Sequence, residues 1–363
     1  MKKKLKDICT QVRGVSYKPS DLRDENSGVP ILRANNIQDT GIVLDELVYV
    51  DSSKVHSEQY LLTDDIVICA SSGSKNLVGK AATFKSDLSA SFGAFCKVVR
   101  INNSDDLCKA YIQQYFQSKI YRNAISESSA GANINNIKTE DIEALEIPLP
   151  SKEEQIKIAA ELDTIQSAID NKKQQLALLD EAVKSEFVEM FGNKNFPTQK
   201  WDSVFITKTG KLDSNAMVEG GKYPFFTCAK EIFSIDNYAF DQEALLLAGN
   251  NAAGKYDVKY YKGKFNAYQR TYVLSLKEAW SYRLFQFQLE DKLLYLKEQS
   301  KGINTKFLTL KILQELEFII PPKELQLKFE TFVQQIDKSK FVVKQQITDL
   351  QELLDSKMQE YFS

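Results

Sequence analysis

Leu145-Glu146-Ile147-Pro148-Leu149-Pro150-Ser151-Lys152-Glu153-Glu154-Gln155 returns 171 residues later as Leu316-Glu317-Phe318-Ile319-Ile320-Pro321-Pro322-Lys323-Glu324-Leu325-Gln326. In each copy an apolar strand runs into proline and a helix begins. Proline is tolerated at a first helical turn because its missing N–H has no partner to lose, and Glu153 and Glu324 sit where the helix dipole favours negative charge. Around this core, Ser129 to Gly192 aligns without a gap on Ser300 to Ser363, with 19 of 64 positions identical. The chain is two copies of one plan, and the repeat organises everything else.

Beyond each proline the apolar residues keep heptad spacing. The first copy gives Ile158, Leu162, Ile165, Ile169, Leu176, Leu179, Val183 and Met190, interrupted by Lys172 and Glu186. The second gives Phe329, Val333, Ile336, Val343, Ile347, Leu350, Leu354 and Tyr361, interrupted by Lys340 and Lys357. Steps of three and four predict coiled-coil helices, each about 58 Å long at about 1.5 Å per residue. Periodicity alone fits any helical hairpin or dimerisation rod. The order of parts narrows this: a globular segment precedes each helix, and the loop from Gly192 to Lys200 links the first helix to the second globule. The expected domains are 1–144 and 193–316 as globules, the latter with its linker, and 145–192 and 317–363 as helical repeats. Antiparallel pairing of the helices would relate the globules by a pseudo-two-fold axis and place them at opposite ends of the rod. The expected class is α+β.

The globules carry short apolar and aromatic runs separated by Gly, Asn, Asp and Ser, which predicts mixed short strands and few helices. They resemble each other weakly. Asp65 to Gly73 parallels Ala244 to Asn250, a buried strand followed by a glycine turn. Gly79-Lys80 parallels Gly254-Lys255, and Ala90 to Val99 faces Asn266 to Leu274. A shared scaffold with divergent loops suits two copies that contact different things.

The 363 residues suffice for two domains, and 43% hydrophobic with 26% charged residues is the balance of an ordered globular protein. No apolar run reaches eighteen residues and the lysine-rich start leads to no cleavage site, so the chain is expected to be neither exported nor membrane-spanning. Cys9, Cys69, Cys96, Cys108 and Cys228 show no C-x-x-C spacing, which supports neither zinc nor a disulfide framework and fits a reducing cytoplasm. His56, the only histidine, reads as an exposed or capping residue. Lys and Arg against Asp and Glu number 18 and 18 over 1–144, 5 and 10 over 145–192, 18 and 13 over 193–316, and 6 and 8 over 317–363. The basic excess lies in the second globule and the helices are acidic, so a nucleic acid would meet the globules and a protein partner the helices.

Gly249-Asn250-Asn251-Ala252-Ala253-Gly254-Lys255-Tyr256 imitates a phosphate loop, but Tyr256 stands where magnesium needs Ser or Thr, and a strand-like alternation follows where a helix should open. The turn suits the presentation of Asn and Lys to a ligand: Asn pairs with adenine, and Lys reaches guanine or phosphate.

With these parts in order, the whole chain resembles the specificity subunit of type I restriction-modification systems: recognition domain, helix, recognition domain, helix. Its marks are Ile147-Pro148-Leu149-Pro150 with Glu154-Gln155, then Phe191-Gly192-Asn193 and the loop containing Pro197. The second copy departs from them, with Ile319-Ile320-Pro321-Pro322 and Leu325-Gln326. The resemblance implies that each globule reads one half of a split double-stranded DNA target while the paired helices fix the gap. It implies two modification subunits that dock on the helices and methylate adenine, and restriction subunits that translocate and cleave. S-adenosylmethionine, ATP and magnesium would belong to those partners, since the chain has no N/D-P-P-Y/F tetrapeptide and no credible nucleotide site. The chosen DNA contacts are Ser72, Lys75, Asn76 and Lys80 in the first globule and Asn250, Asn251, Lys255, Gln269 and Arg270 in the second. Two other classes remain: a coiled-coil interaction protein whose globules bind protein or carbohydrate, and a self-contained DNA-modifying enzyme. Salt-dependent binding to one duplex sequence separates the first of these, and methyl transfer by the isolated chain would support the second.

Overall fold

The computed structural model describes residues 1–38, 41–74, 77–128, 136–192, 194–252, 254–302 and 304–363. It is a mixed helix and sheet protein with two 40-residue helices, Lys152–Phe191 and Lys323–Phe362. Contacts divide it into two units, Met1–Gln174 with Lys344–Ser363, and Gln175–Val343. The division falls inside the helices, so each unit holds one globule and half of each helix. No helix among the described residues is long and apolar enough to cross a membrane.

In unit 1 one sheet has the order Cys9–Arg13, Cys96–Ile101, Ile66–Cys69, Ala81–Thr83, and a second runs Ser91–Phe92, Val29–Leu32, Val48–Val50, Leu22–Arg23. Lys2–Lys4 pairs antiparallel with Glu146–Pro148 and so ties the start of the chain to the repeat junction. Unit 2 repeats this plan in one six-stranded sheet of order Phe205–Thr209, Thr271–Leu276, Phe240–Ala248, Val258–Ala267, Tyr223–Phe226, Phe233–Ile235. There Thr198–Lys200 pairs with Glu317–Ile319, and Trp201, fully buried, donates its indole N–H to Thr207 Oγ1 at 2.8 Å.

The globules hold more helix than their sequence patterns suggest. Lys109–Gln117, Lys119–Ser128 and Thr139–Glu143 lie in the first, and Tyr282–Asp291, Leu293–Gln299 and Leu310–Gln314 in the second. Their aromatic content, with Tyr111, Tyr115, Phe116 and Tyr121 all buried, reads as strand by propensity. Packing against the sheet and the long helices overrides it.

The seam forms within each unit. Ile158, Leu162, Ile165 and Ile169 share a core with Leu354, and Ile347 and Leu350 pack against it. Val183, Phe329 and Val333 share another, joined by Ile336. Val343 is buried, whereas Leu176 and Leu179 are half-buried. The pairing is antiparallel in both units: Lys357 meets Glu161 at 3.2 Å in unit 1, and Lys340 meets Asp180 in unit 2. These are two of the lysines that interrupt the heptads, and each turns the interruption into an ion pair. At the helix ends the seam moves by one residue from the expected Met190 and Tyr361. Phe191 and Phe362 are the buried residues, with the Phe362 ring centroid 5.1 Å from that of Tyr111. A straight helix drifts relative to a heptad, and steps of four through Leu354, Met358 and Phe362 follow the helix, turning Phe362 toward the globule while Tyr361 still donates to Glu161 of the other long helix at 2.6 Å.

The repeated glutamine of the junction has a structural role in both copies. Gln155 is fully buried; its carbonyl oxygen accepts from Cys108 N at 2.9 Å and its amide donates to Asp106 O at 3.0 Å and Pro150 O at 2.9 Å. Gln326 accepts from Ser281 N at 3.0 Å and donates to Pro321 O at 2.8 Å. One amide thus brackets the proline turn onto the segment that opens a helix of the globule, which explains the spacing of five from Pro to Gln.

Candidate nucleic-acid interface

In unit 2 the buried strand Phe240–Ala248 ends at Gly249, whose N–H donates to Arg270 O at 2.9 Å. A Cβ on Gly249 would lie 2.3 Å from that oxygen, so only glycine permits the approach. Asn250 and Asn251 then pair antiparallel with Phe307 and Lys306. Leu308 N donates to Gly249 O at 2.8 Å, and Tyr272 holds Leu308 O at 3.0 Å. Asn251 Oδ1 accepts from Lys255 N at 3.2 Å. Gln269 and Arg270 are exposed on a tight turn, with Thr271 N donating to Tyr268 O at 2.8 Å and Gln269 N to Leu212 O at 2.9 Å. Asn250, Asn251, Lys255, Gln269 and Arg270 therefore belong to one joined pair of loops. A cleft of about 440 Å³ lined by Met217, Cys228, Phe233 and Tyr268 opens beside them, with Cys228 Sγ donating to Arg270 O at 3.5 Å.

The phosphate-loop imitation is a strand and turn. Asn250–Asn251 is extended, Gly254 has φ +65°, and strand Val258–Ala267 follows.

Unit 1 builds the same junction with other side chains. Strand Ile66–Cys69 leads to Ala70 and Ser71, whose N–H groups both donate to Phe95 O, at 2.9 and 3.0 Å. Ile137 N donates to Ala70 O at 2.8 Å and Ser71 bridges Asn136, as Leu308 and Phe307 do in unit 2. Ser72 is half-buried and accepts from Ser74 N at 3.2 Å. Lys80, also half-buried, closes the base of the loop, its carbonyl accepting from Cys69 N at 2.8 Å behind Gly79 at φ +80°. Lys75 and Asn76 lie outside the described residues. His56 is exposed, and its backbone N–H donates to Gln59 Oε1 at 3.0 Å at the start of a short turn.

Two features escaped the sequence patterns. The first is the pinning segment around Ser300. Lys297 and Lys306 lay their stems over Gly254, 3.1 and 3.4 Å from where its Cβ would be, and Lys301 closes a hairpin with Phe307. With Lys255 these make four lysines on the turn and on the segment that pins it, and among the described residues none has a carboxylate partner. Unpaired like charges held together favour a polyanion. A signal was present: Ser300, Gly302 and Asn304 match Ser129, Gly131 and Asn133 in the gapless repeat.

The second is a register. Cys96 pairs with Cys69 as Thr271 pairs with Ala248, so Phe95 occupies the place of Arg270.

The family described as the type I restriction modification DNA specificity domain matches residues 1–181 and 193–352. The StySPI type I specificity subunit of Salmonella potsdam is 40% identical over 179 residues, 49% of this chain and 38% of that protein. The EcoKI specificity subunit of Escherichia coli K12 is 38% identical over 200 residues, 53% of this chain and 42% of that protein. The matches thus span less than half the length of these relatives. In fold, the chain is similar to the type I restriction-modification S subunit of M. genitalium, with a TM-score of 0.60 at 16% identity over 100% of this chain and 96% of that one.

Proposed function

Because the chain belongs to the family of type I restriction-modification DNA specificity domains, we propose that it reads a split target in double-stranded DNA, one half with each recognition unit. In this reading it has no catalysis of its own. Two modification subunits dock on the long helices and methylate adenine at the site it selects, and restriction subunits cleave. S-adenosylmethionine, ATP and magnesium act on those partners.

The observation that carries this is the duplicated junction. In each unit a buried strand ends in a turn whose backbone is held on two sides, by the residue at Phe95 or Arg270 and by Ile137 or Leu308. The scaffold is constant and the presented side chains differ, as two half-sites of different sequence require. Phosphate contacts position a protein on the duplex and base-edge contacts specify. The four-lysine turn suits the first task; Asn250 and Arg270 suit the second.

Methylome sequencing of cells that express the chain with a modification subunit is the direct test. One bipartite adenine-methylated motif is expected, and methyl transfer by the purified chain alone would overturn the reading. The two kinds of contact separate by salt. Changing Lys297, Lys301 and Lys306 together to alanine is expected to lower the slope of log affinity against log salt by roughly 2 to 3, at about 0.9 per phosphate contact. The methylated motif should stay the same. Arg270→Ala should instead cost about 1–3 kcal/mol at one base position and relax the motif there. If Arg270→Ala weakens all duplexes equally, that side chain meets phosphate.

A further inference from the structure

Phe95 is 70% exposed, yet the turn that carries it is tightly held. Cys96 N donates to Gly93 O at 2.8 Å, Gly93 N to Leu32 O at 2.9 Å and Ala94 N to Val15 O at 3.0 Å, and Phe95 O takes two N–H groups. The ring joins no apolar cluster and no ring pair among the described residues. Leaving a phenyl ring in water forgoes roughly 1.5–3 kcal/mol of burial, and a turn accepts a polar residue at least as well. Folding of unit 1 therefore does not account for the phenylalanine.

Its position does. Phe95 stands where Arg270 stands in unit 2, its carbonyl accepting from Ala70 N at the end of the buried strand as that of Arg270 accepts from Gly249 N. We propose that Phe95 reads the C5-methyl group of a thymine in one half-site, from the same place on the scaffold that presents Arg270 to the other. The thymine methyl is the apolar feature of the major-groove edge, and phenylalanine is among the side chains that contact it. A ring without donors or acceptors gains nothing from the polar edges of guanine or cytosine. A rigid backbone presents it without an ordering cost at the moment of binding. This assignment rests on the DNA-reading function proposed above.

The test uses the full chain assembled with its modification subunit and a duplex carrying the motif found by methylome sequencing. Each thymine of the two half-sites is replaced singly by deoxyuridine, which removes only the methyl group. For wild type, one replacement is expected to weaken binding roughly 3- to 10-fold. Phe95→Ala should weaken the unmodified duplex by a similar factor, make that replacement silent, and leave the thermal midpoint unchanged because the side chain is exposed. The proposal is overturned if no thymine of either half-site responds to loss of its methyl. It is equally overturned if Phe95→Ala leaves the response intact, or if the variant loses modification subunit while its base preferences stay the same, which would make Phe95 a protein contact. A wild-type complex with no sequence preference would sink the DNA reading itself, a different result from a specific complex indifferent to thymine methyls.

Discussion

Gln155→Ala is expected to remove a substantial part of the stability of unit 1. The side chain is fully buried and makes three hydrogen bonds, to Cys108 N, Asp106 O and Pro150 O. Alanine leaves all three backbone groups without that partner. Cys108 and Pro150 are half-buried whereas the exposed Asp106 carbonyl returns to water, so at about 1–3 kcal/mol for each of the two sheltered groups the loss is roughly 2–6 kcal/mol, against a stability of about 5–15 kcal/mol for an ordinary domain. Gln326→Ala should cost less, since two bonds are lost there. Urea unfolding measures both, with amide exchange at Cys108 reporting the first variant and at Ser281 the second. Gln155→Glu gives a sharper check. It keeps an acceptor for Cys108 N but can donate to a carbonyl only when protonated, so burial and the two carbonyls raise its folded pKa above the unfolded value. Its stability should then be greatest below the ordinary glutamate range and fall as pH rises from that range through the raised folded pKa. A pH-independent Gln155→Glu, or a Gln155→Ala as stable as wild type, would show that the bracket does not hold the junction.

The second large effect lies at the start of the strand that carries the first recognition turn. Asp65 is 2% exposed; it accepts two hydrogen bonds from Arg100, at 2.9 and 2.7 Å, and one from Leu62 N at 2.8 Å. Arg100 also donates to Tyr60 O at 2.9 Å, and the Asp65 carboxylate raises the pKa of its guanidinium above the ordinary value. Asp65→Ala leaves a partly buried cation unpaired and is expected to cost about 3–5 kcal/mol. Replacing Asp65 and Arg100 together by apolar residues of similar volume should recover much of that, because no lone charge remains. Unit 2 has no equivalent pair: the corresponding positions are Ala244 and Ser275, and Gln242 bonds Ser275 Oγ at 2.8 Å. The loss should therefore appear in amide exchange of Ile66–Cys69 and leave Phe240–Ala248 protected. Equal loss of protection in both strands would contradict this account.

By itself the sequence determined the duplication, the two long helices and their seam, the prolines and glutamines of the junctions, and the glycine turns after the buried strands. These features are local. A helix repeats its buried stripe every three to four residues, and a left-handed turn or a close backbone approach favours glycine, so short stretches of chain carry the whole signal. Tertiary structure decided the rest. The helices of the globules, with aromatic residues that favour strand, form because the sheet and long helices cover them. Phe191 and Phe362 replace their neighbours in the core because the globules add aromatic surface, Phe196 and Tyr111, beside the helix ends. Lys306 meets Gly254, and Phe95 takes the place of Arg270, through strand pairings between segments tens of residues apart. Such pairings depend on a register that one residue of slip would reverse, and no local pattern in either segment names its partner.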